Sequence, residues 1–290
     1  SRSPEHPDMI QLSNRELTLD LLDPDSDQSR LGTRYCWGGY IWQVHDVRQG
    51  PLLTGPEWPE PKPTPFNGQG LPESFRFRTR DERALTWNGR EGVHLGGGSL
   101  RASATGEAEM AEPCRWTLTR QPDRLTYRTS QQAFGYDYEL MRRIELTDRT
   151  VTSTSLLTNH GTEPLHLEWF PHPFFALTDG LVRAEMSPGF SMAENPGFHW
   201  KDNVITLKRR FAGPRDGHME LMTPPTTGVL RAQIDHPRLE GVEFETSYTP
   251  SECPIWANGL TFSIEPYLAA VLPPGQSHRW NVRYRFGRGR

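Results

Sequence analysis

Along most of the chain apolar residues recur at every second position. Leu17, Leu19 and Leu21 alternate with Thr18, Asp20 and Leu22, the period of a strand with one buried face. Tyr35 to Val44 reads as a strand running through the paired glycines Gly38 and Gly39, which mark a bulge or a close approach. Beyond residue 100 the rhythm becomes that of hairpins. Trp116–Thr119 and Arg124–Thr129 flank Gln121-Pro122-Asp123, and Tyr138–Leu146 and Thr150–Leu157 flank Thr147-Asp148-Arg149. Further strands are predicted near 164–170, 181–186, 203–210, 217–222, 228–235, 242–248, 260–267 and 278–286. No window longer than about ten residues holds a 3.6-residue apolar period, so helices should be few and short. More than a dozen strands without crossover helices imply an all-β fold, a large antiparallel β-sandwich with sheets packed face to face.

Punctuation divides this pattern without splitting it. Residues 1–9 are polar and carry prolines, the composition of a flexible tail, and residues 10–290 are expected to form one domain. Between Gly50 and Pro72 stand seven prolines, incompatible with a central strand or a helix interior. Because the strand rhythm continues beyond them, this stretch is expected to be a loop lying over the sheet, with Trp58 and Phe66 edging a site. Gly96-Gly97-Gly98 lacks the Lys-Ser/Thr continuation of a phosphate loop and is expected to be a flexible turn.

Composition narrows the function classes. In 290 residues the hydrophobic fraction is a modest 34%, while 9 Trp, 13 Phe and 8 Tyr supply flat rigid surfaces of the kind sugar rings stack on. A net charge of −4 with both signs spread along the chain gives no electrostatic footprint for nucleic acid or an anionic membrane. No apolar run approaches the ~20 residues of a membrane helix, and the start carries no signal-like stretch, so a soluble, cytoplasmic protein is expected, monomeric or homodimeric. Cys36, Cys114 and Cys253 are odd in number and lack metal-ligand spacing, and reduced thiols are expected.

Two ionisable residues sit in surroundings that remove water and move a pKa toward working pH. His172 lies within Trp169-Phe170-Pro171-His172-Pro173-Phe174-Phe175, its backbone bracketed by prolines. Glu265 lies in Ser263-Ile264-Glu265-Pro266-Tyr267, on an otherwise apolar strand where an unpaired carboxylate is costly. A histidine satisfied by backbone carbonyls and a structural salt bridge are the bland alternatives. His166, Glu168 and His172 share one strand face, but no second cluster completes a metal set, and no metal or cofactor is expected.

Together with Leu157-Thr158-Asn159-His160-Gly161 and Pro273-Pro274-Gly275, these two segments resemble the signature of the galactose mutarotase-like, or aldose 1-epimerase, superfamily. The resemblance implies interconversion of sugar anomers, with His172 as general acid and Glu265 as general base and no cofactor. It also implies a concave face lined by these two together with Glu73, Arg78, Asp179, Trp37 and Trp256. Asp179 follows His172 by seven residues, the interval of a sugar-binding aspartate in the hexose-6-phosphate epimerases, though Asp179-Gly180 is also an ordinary turn pair. In Gly68-Gln69-Gly70-Leu71-Pro72-Glu73-Ser74-Phe75-Arg76-Phe77-Arg78, the resemblance puts Ser74 at the position of a histidine and Arg78 at that of an arginine. Arg78 would favour a sugar phosphate over a free sugar. The missing histidine makes a non-catalytic carbohydrate-binding protein the chief alternative. A glycoside hydrolase pairing Glu265 with Glu73 or Asp179 is the third.

Overall fold

The computed structural model describes residues 9–26, 31–60, 62–64 and 66–290, and the predicted tail apart from Met9 lies outside them. Met9 itself opens the first strand, Met9–Ser13. Among the described residues there is no helix, and every strand pair is antiparallel. The largest sheet has ten strands, from Phe198–Lys201 at one edge to Thr117–Gln121 at the other. Its hairpins are those the alternation predicts, with Asp148 in the left-handed conformation at the tip of the Tyr136–Thr147/Thr150–Asn159 turn. The last strand, Ser277–Phe286, lies between Val242–Thr246 and Thr150–Asn159 and joins the two halves of this sheet. Apolar side chains at alternate positions, such as Trp280, Val282 and Tyr284, point into the main core.

Two smaller sheets carry the candidate site. One orders Leu268–Leu272, Leu165–Pro171 and Glu73–Phe75, and the other Phe175–Ala176, Thr261–Ile264, Cys253–Asn258 and Gly217–Met222. The described residues of the proline-rich stretch are bonded to the second of these sheets. The Thr54 N–H donates to the Phe174 carbonyl, and its hydroxyl donates to that of Thr261. Gly70 enters with φ +75°, and a Cβ there would lie 2.5 Å or less from the carbonyl oxygens of Ile41 and Trp42. Only glycine allows this approach.

Two expectations change in the folded chain. The strand predicted over 35–44 begins only at Ile41 and runs to Asp46. Its first half is drawn into a second aromatic core, where Tyr35 stacks on Tyr40 and a Cβ at Gly38 would overlap the Trp116 ring. Gly96-Gly97-Gly98 is a buried hairpin turn leading from Glu91–His94 into Gly98–Ala102, with Gly97 donating to the carbonyl of His94. Cys36, Cys114 and Cys253 are free and buried.

Behind the site the core holds an ion pair. Arg142 and Glu73 are in contact and 1% and 3% exposed. Arg142 also donates to Ser155 and to the carbonyl of Gly38, and Ser153 donates to Glu73 at 2.6 Å. Such a pair roughly balances its own desolvation, but losing one member strands the other. Arg142→Met should therefore lower unfolding free energy by roughly 3–5 kcal/mol, read from the urea midpoint. Adding Glu73→Gln should restore part of that loss, whereas additive losses would show that the pair is not coupled.

Candidate active site

Alternation along the strands decides which residues meet. In the Leu165–Pro171/Glu73–Phe75 pairing, Phe170 faces Ser74 and Trp169 faces Phe75. One parity turns Phe170, His172, Ser74 and Arg76 to a cavity of about 330 Å³. The other turns Trp169 to the aromatic core and Glu73 to Arg142. On the second sheet Glu265 follows Ser263 by two positions, so both present to the same side. The cavity falls in the size class of a small-molecule site, ~300–1,000 Å³.

His172 and Glu265 open on this one cavity, with His172 Nε2 3.4 Å from Glu265 Oε1. Main-chain bonds hold both in place: His172 N–H donates to Pro72 and Glu265 N–H to Pro254, each at 2.8 Å. The imidazole stacks on Phe174 at 4.4 Å between ring centres, with Tyr35 edge-on, and its Nδ1 lies 3.0 Å from the Ser263 hydroxyl. Phe170 and Tyr267 stack almost parallel at 4.4 Å and form an aromatic wall.

Burial dominates the electrostatics. It drives the His172 imidazole well below its ordinary pKa, and the nearby Arg34 guanidinium lowers it further. Burial lifts the Glu265 carboxyl to about 7, against the pull of Arg34, Arg80 and Arg76. Near neutrality the imidazole is neutral and the carboxyl 3.4 Å away is partly protonated. Burial also lifts the Tyr267 phenol to about 12, so it remains a hydrogen-bond donor.

Of the seven residues singled out from the sequence, His172, Glu265 and Arg78 line the cavity. Glu73 does not, because its parity sends the carboxylate into the core to Arg142. Trp37 is buried in the second aromatic core, and Asp179 sits at φ +52° in an exposed turn closed by Thr178 and Leu181. Trp256 is directly opposite Ser263 and Met219 on the same sheet, beyond the cavity lining. Of the metal set weighed from sequence, Glu168 pairs with Arg76 at 3.2 Å and His166 is exposed.

Four residues the sequence reading passed over complete the site: Arg34, Arg76, Arg80 and Ser263. Arg76, Arg78 and Arg80 stand at alternate positions, a period-two signal visible in the sequence, whereas Arg34 has no such signal. Ser74 donates to the Arg34 carbonyl at 2.7 Å and fixes that residue at the cavity. Three of the arginines are matched: Arg76 by Glu168, Arg78 by Glu82 and Glu107, Arg80 by Glu252. Among the described residues Arg34 makes no ion pair, and its guanidinium lies over the rings of Tyr35 and Phe66.

No family model and no curated protein matches the chain. Solved structures do. A galactose mutarotase related enzyme from Lactobacillus acidophilus superposes with a TM-score of 0.62 at 10% identity, over 96% of this chain and 97% of that one. A candidate aldose 1-epimerase from Escherichia coli K12 gives 0.60 at 17% identity, over 96% and 98%. A galactose mutarotase-like protein from Clostridium acetobutylicum gives 0.57 at 14%, over 97% and 95%. The chain has the galactose mutarotase-like fold.

The raised Glu265 carboxyl has a cost in stability. Its pKa of 4.5 in an open environment rises to about 7 in the fold, so its favourable contribution is complete below 4.5 and lost as pH rises through about 7. Glu265→Gln, which mimics the protonated form, should stabilise the protein at pH 8 by on the order of 3 kcal/mol and scarcely at pH 4.5. Thermal unfolding of both proteins at the two pH values measures this, and an equal effect at both would show that ionisation is not the cause.

Proposed function

We propose that the protein is an aldose 1-epimerase acting on a sugar that carries an anionic substituent. The observation that supports this reading best is the approach of His172 Nε2 to within 3.4 Å of Glu265 Oε1 at the floor of one aromatic cavity. A hemiacetal offers two oxygens on one carbon, the anomeric hydroxyl and the ring oxygen, and a closely spaced acid and base can address both. With one proton on the pair, transfer from Glu265 to His172 gives the carboxylate and imidazolium that the reaction needs. Glu265 takes the proton of the anomeric hydroxyl while His172 protonates the ring oxygen. The bond from the first carbon to the ring oxygen breaks and the carbonyl forms. Rotation about the first carbon–carbon bond and the reverse transfers give the other anomer, and the proton inventory returns to its start.

The arginines favour an anionic sugar. Arg34 brings an unmatched cation beside the dyad, and Arg76, Arg78 and Arg80 extend positive charge along the cavity. A guanidinium binds phosphate or carboxylate through parallel hydrogen bonds. The role first assigned to Arg78 passes to Arg34, because Arg78 already holds two carboxylates. The hydrolase alternative needs a second carboxylate at the scissile bond, and Glu265 is the only acidic residue among the described residues lining the cavity. A binding protein of the same fold would retain sugars without turning them over.

Anomer-resolved NMR on free and phosphorylated hexoses separates these readings. Catalytic efficiency should be higher for the phosphorylated sugar, and Glu265→Gln and His172→Asn should each lower kcat by on the order of 100-fold or more with sugar affinity little changed. Arg34→Ala should raise KM for the phosphorylated sugar about tenfold or more and leave KM for the free sugar nearly unchanged. Because the working dyad carries one proton, kcat/KM should fall as pH rises through about 7 and again in acid, where His172 takes a second proton. Binding without turnover in the wild type would make this a carbohydrate-binding protein, and equal efficiency on both sugars would remove the role of Arg34.

A further inference from the structure

The imidazole of His172 is held in its plane by rings, Phe174 on one face and Tyr35 against an edge. Stacking is indifferent to a half-turn of that ring about its bond to Cβ. The half-turn exchanges nitrogen for carbon at both polar corners and would point a C–H at Glu265. A hydrogen bond does distinguish the two orientations, and Ser263 supplies one, with its Oγ 3.0 Å from Nδ1. Ser263 is fully buried, and it shares a strand face with Glu265 two residues on and with Thr261 two residues before. Thr261 in turn donates to the Phe175 carbonyl and accepts from Thr54, which pins that strand against the His172 segment and the proline-rich loop. One short strand therefore carries both the group that His172 works with and a group that orients it.

We propose that Ser263 is a positioning residue that holds His172 with Nδ1–H turned to the serine oxygen and Nε2 turned to Glu265 as the nitrogen that exchanges protons. This rests on the epimerase reading for its catalytic consequence, though not for its structural content. With the serine oxygen as acceptor, the neutral ring is the Nδ1–H tautomer. In that tautomer the neutral ring presents a bare Nε2 to the Glu265 carboxyl, and the imidazolium presents an Nε2–H to a substrate oxygen. Nδ1 keeps its proton throughout the cycle.

The test combines spectroscopy with kinetics. In protein labelled with 15N-histidine, the His172 resonances, assigned by their loss in His172→Asn, should show the neutral ring protonated at Nδ1. Ser263→Ala should shift it to Nε2–H or to a mixture, lower kcat about tenfold or more, and leave KM within about twofold. Ser263→Thr, which keeps the hydroxyl, should restore both the tautomer and most of kcat. If Ser263→Ala does not fold, Ser263→Cys, a weaker acceptor, should move both readouts in the same direction. A ring that remains Nδ1–H in the alanine or cysteine variant overturns the proposal whatever the activity, and so does an unchanged kcat with an altered tautomer. If the wild type turns over no sugar, the epimerase reading fails alone, and the tautomer still decides whether Ser263 orients the ring.

Discussion

The site depends on the backbone hydrogen bonds that lay the segment from Gly70 to Phe75 along the segment from Trp169 to Phe174. Phe174 N–H donates to Gly70 and His172 N–H to Pro72, and the strand pairing of Phe170 with Ser74 continues the register. Register fixes parity, and parity is all or nothing: a slip of one residue would send every side chain to the opposite face. It puts His172, Ser74 and Arg76 in the cavity and Glu73 and Trp169 in the core. The close approach of Gly70 to the carbonyls of Ile41 and Trp42 makes that register attainable.

Two buried carboxylates, separated by this parity, illustrate how environment assigns roles. Burial raises the pKa of both, and arginines lower it again in both. Glu73 is in contact with Arg142 and accepts from Ser153, so its lone pairs are engaged within the core. Glu265 is influenced by Arg34, Arg76 and Arg80, none of which pairs with it among the described residues, and its near neighbour is a histidine. A carboxylate saturated by a guanidinium is structural. One left with an adjustable proton beside a second titratable group has the character of an acid–base centre.

Aromatic packing and charge act together around that centre. The Phe174, Tyr35, Phe170 and Tyr267 rings exclude water, which depresses His172 and elevates Glu265. The two groups lie 3.4 Å apart, within a unit held by neutral contacts. The Ser74 hydroxyl ties down the Arg34 backbone, and the Arg34 cation lies at the cavity wall.

The all-β character, the hairpins beyond residue 100 and the two residues, His172 and Glu265, that meet at the cavity were legible in the sequence. Period-two alternation and turn residues such as Asp148 act locally, and prolines flanking His172 or following Glu265 mark fixed backbone wherever the chain folds. Arginines 76, 78 and 80 carried the same period and could have been read as one face. Tertiary structure alone decided that Glu73 belongs to the core, that Asp179 and Trp37 lie away from the cavity, and that Arg34 and Ser263 belong to the site. Those outcomes rest on contacts between residues 40 to more than 90 positions apart, as between Arg34 and Ser74 or His172 and Ser263. Sequence periodicity shows which residues share a face, but only the packing of sheets shows what that face meets.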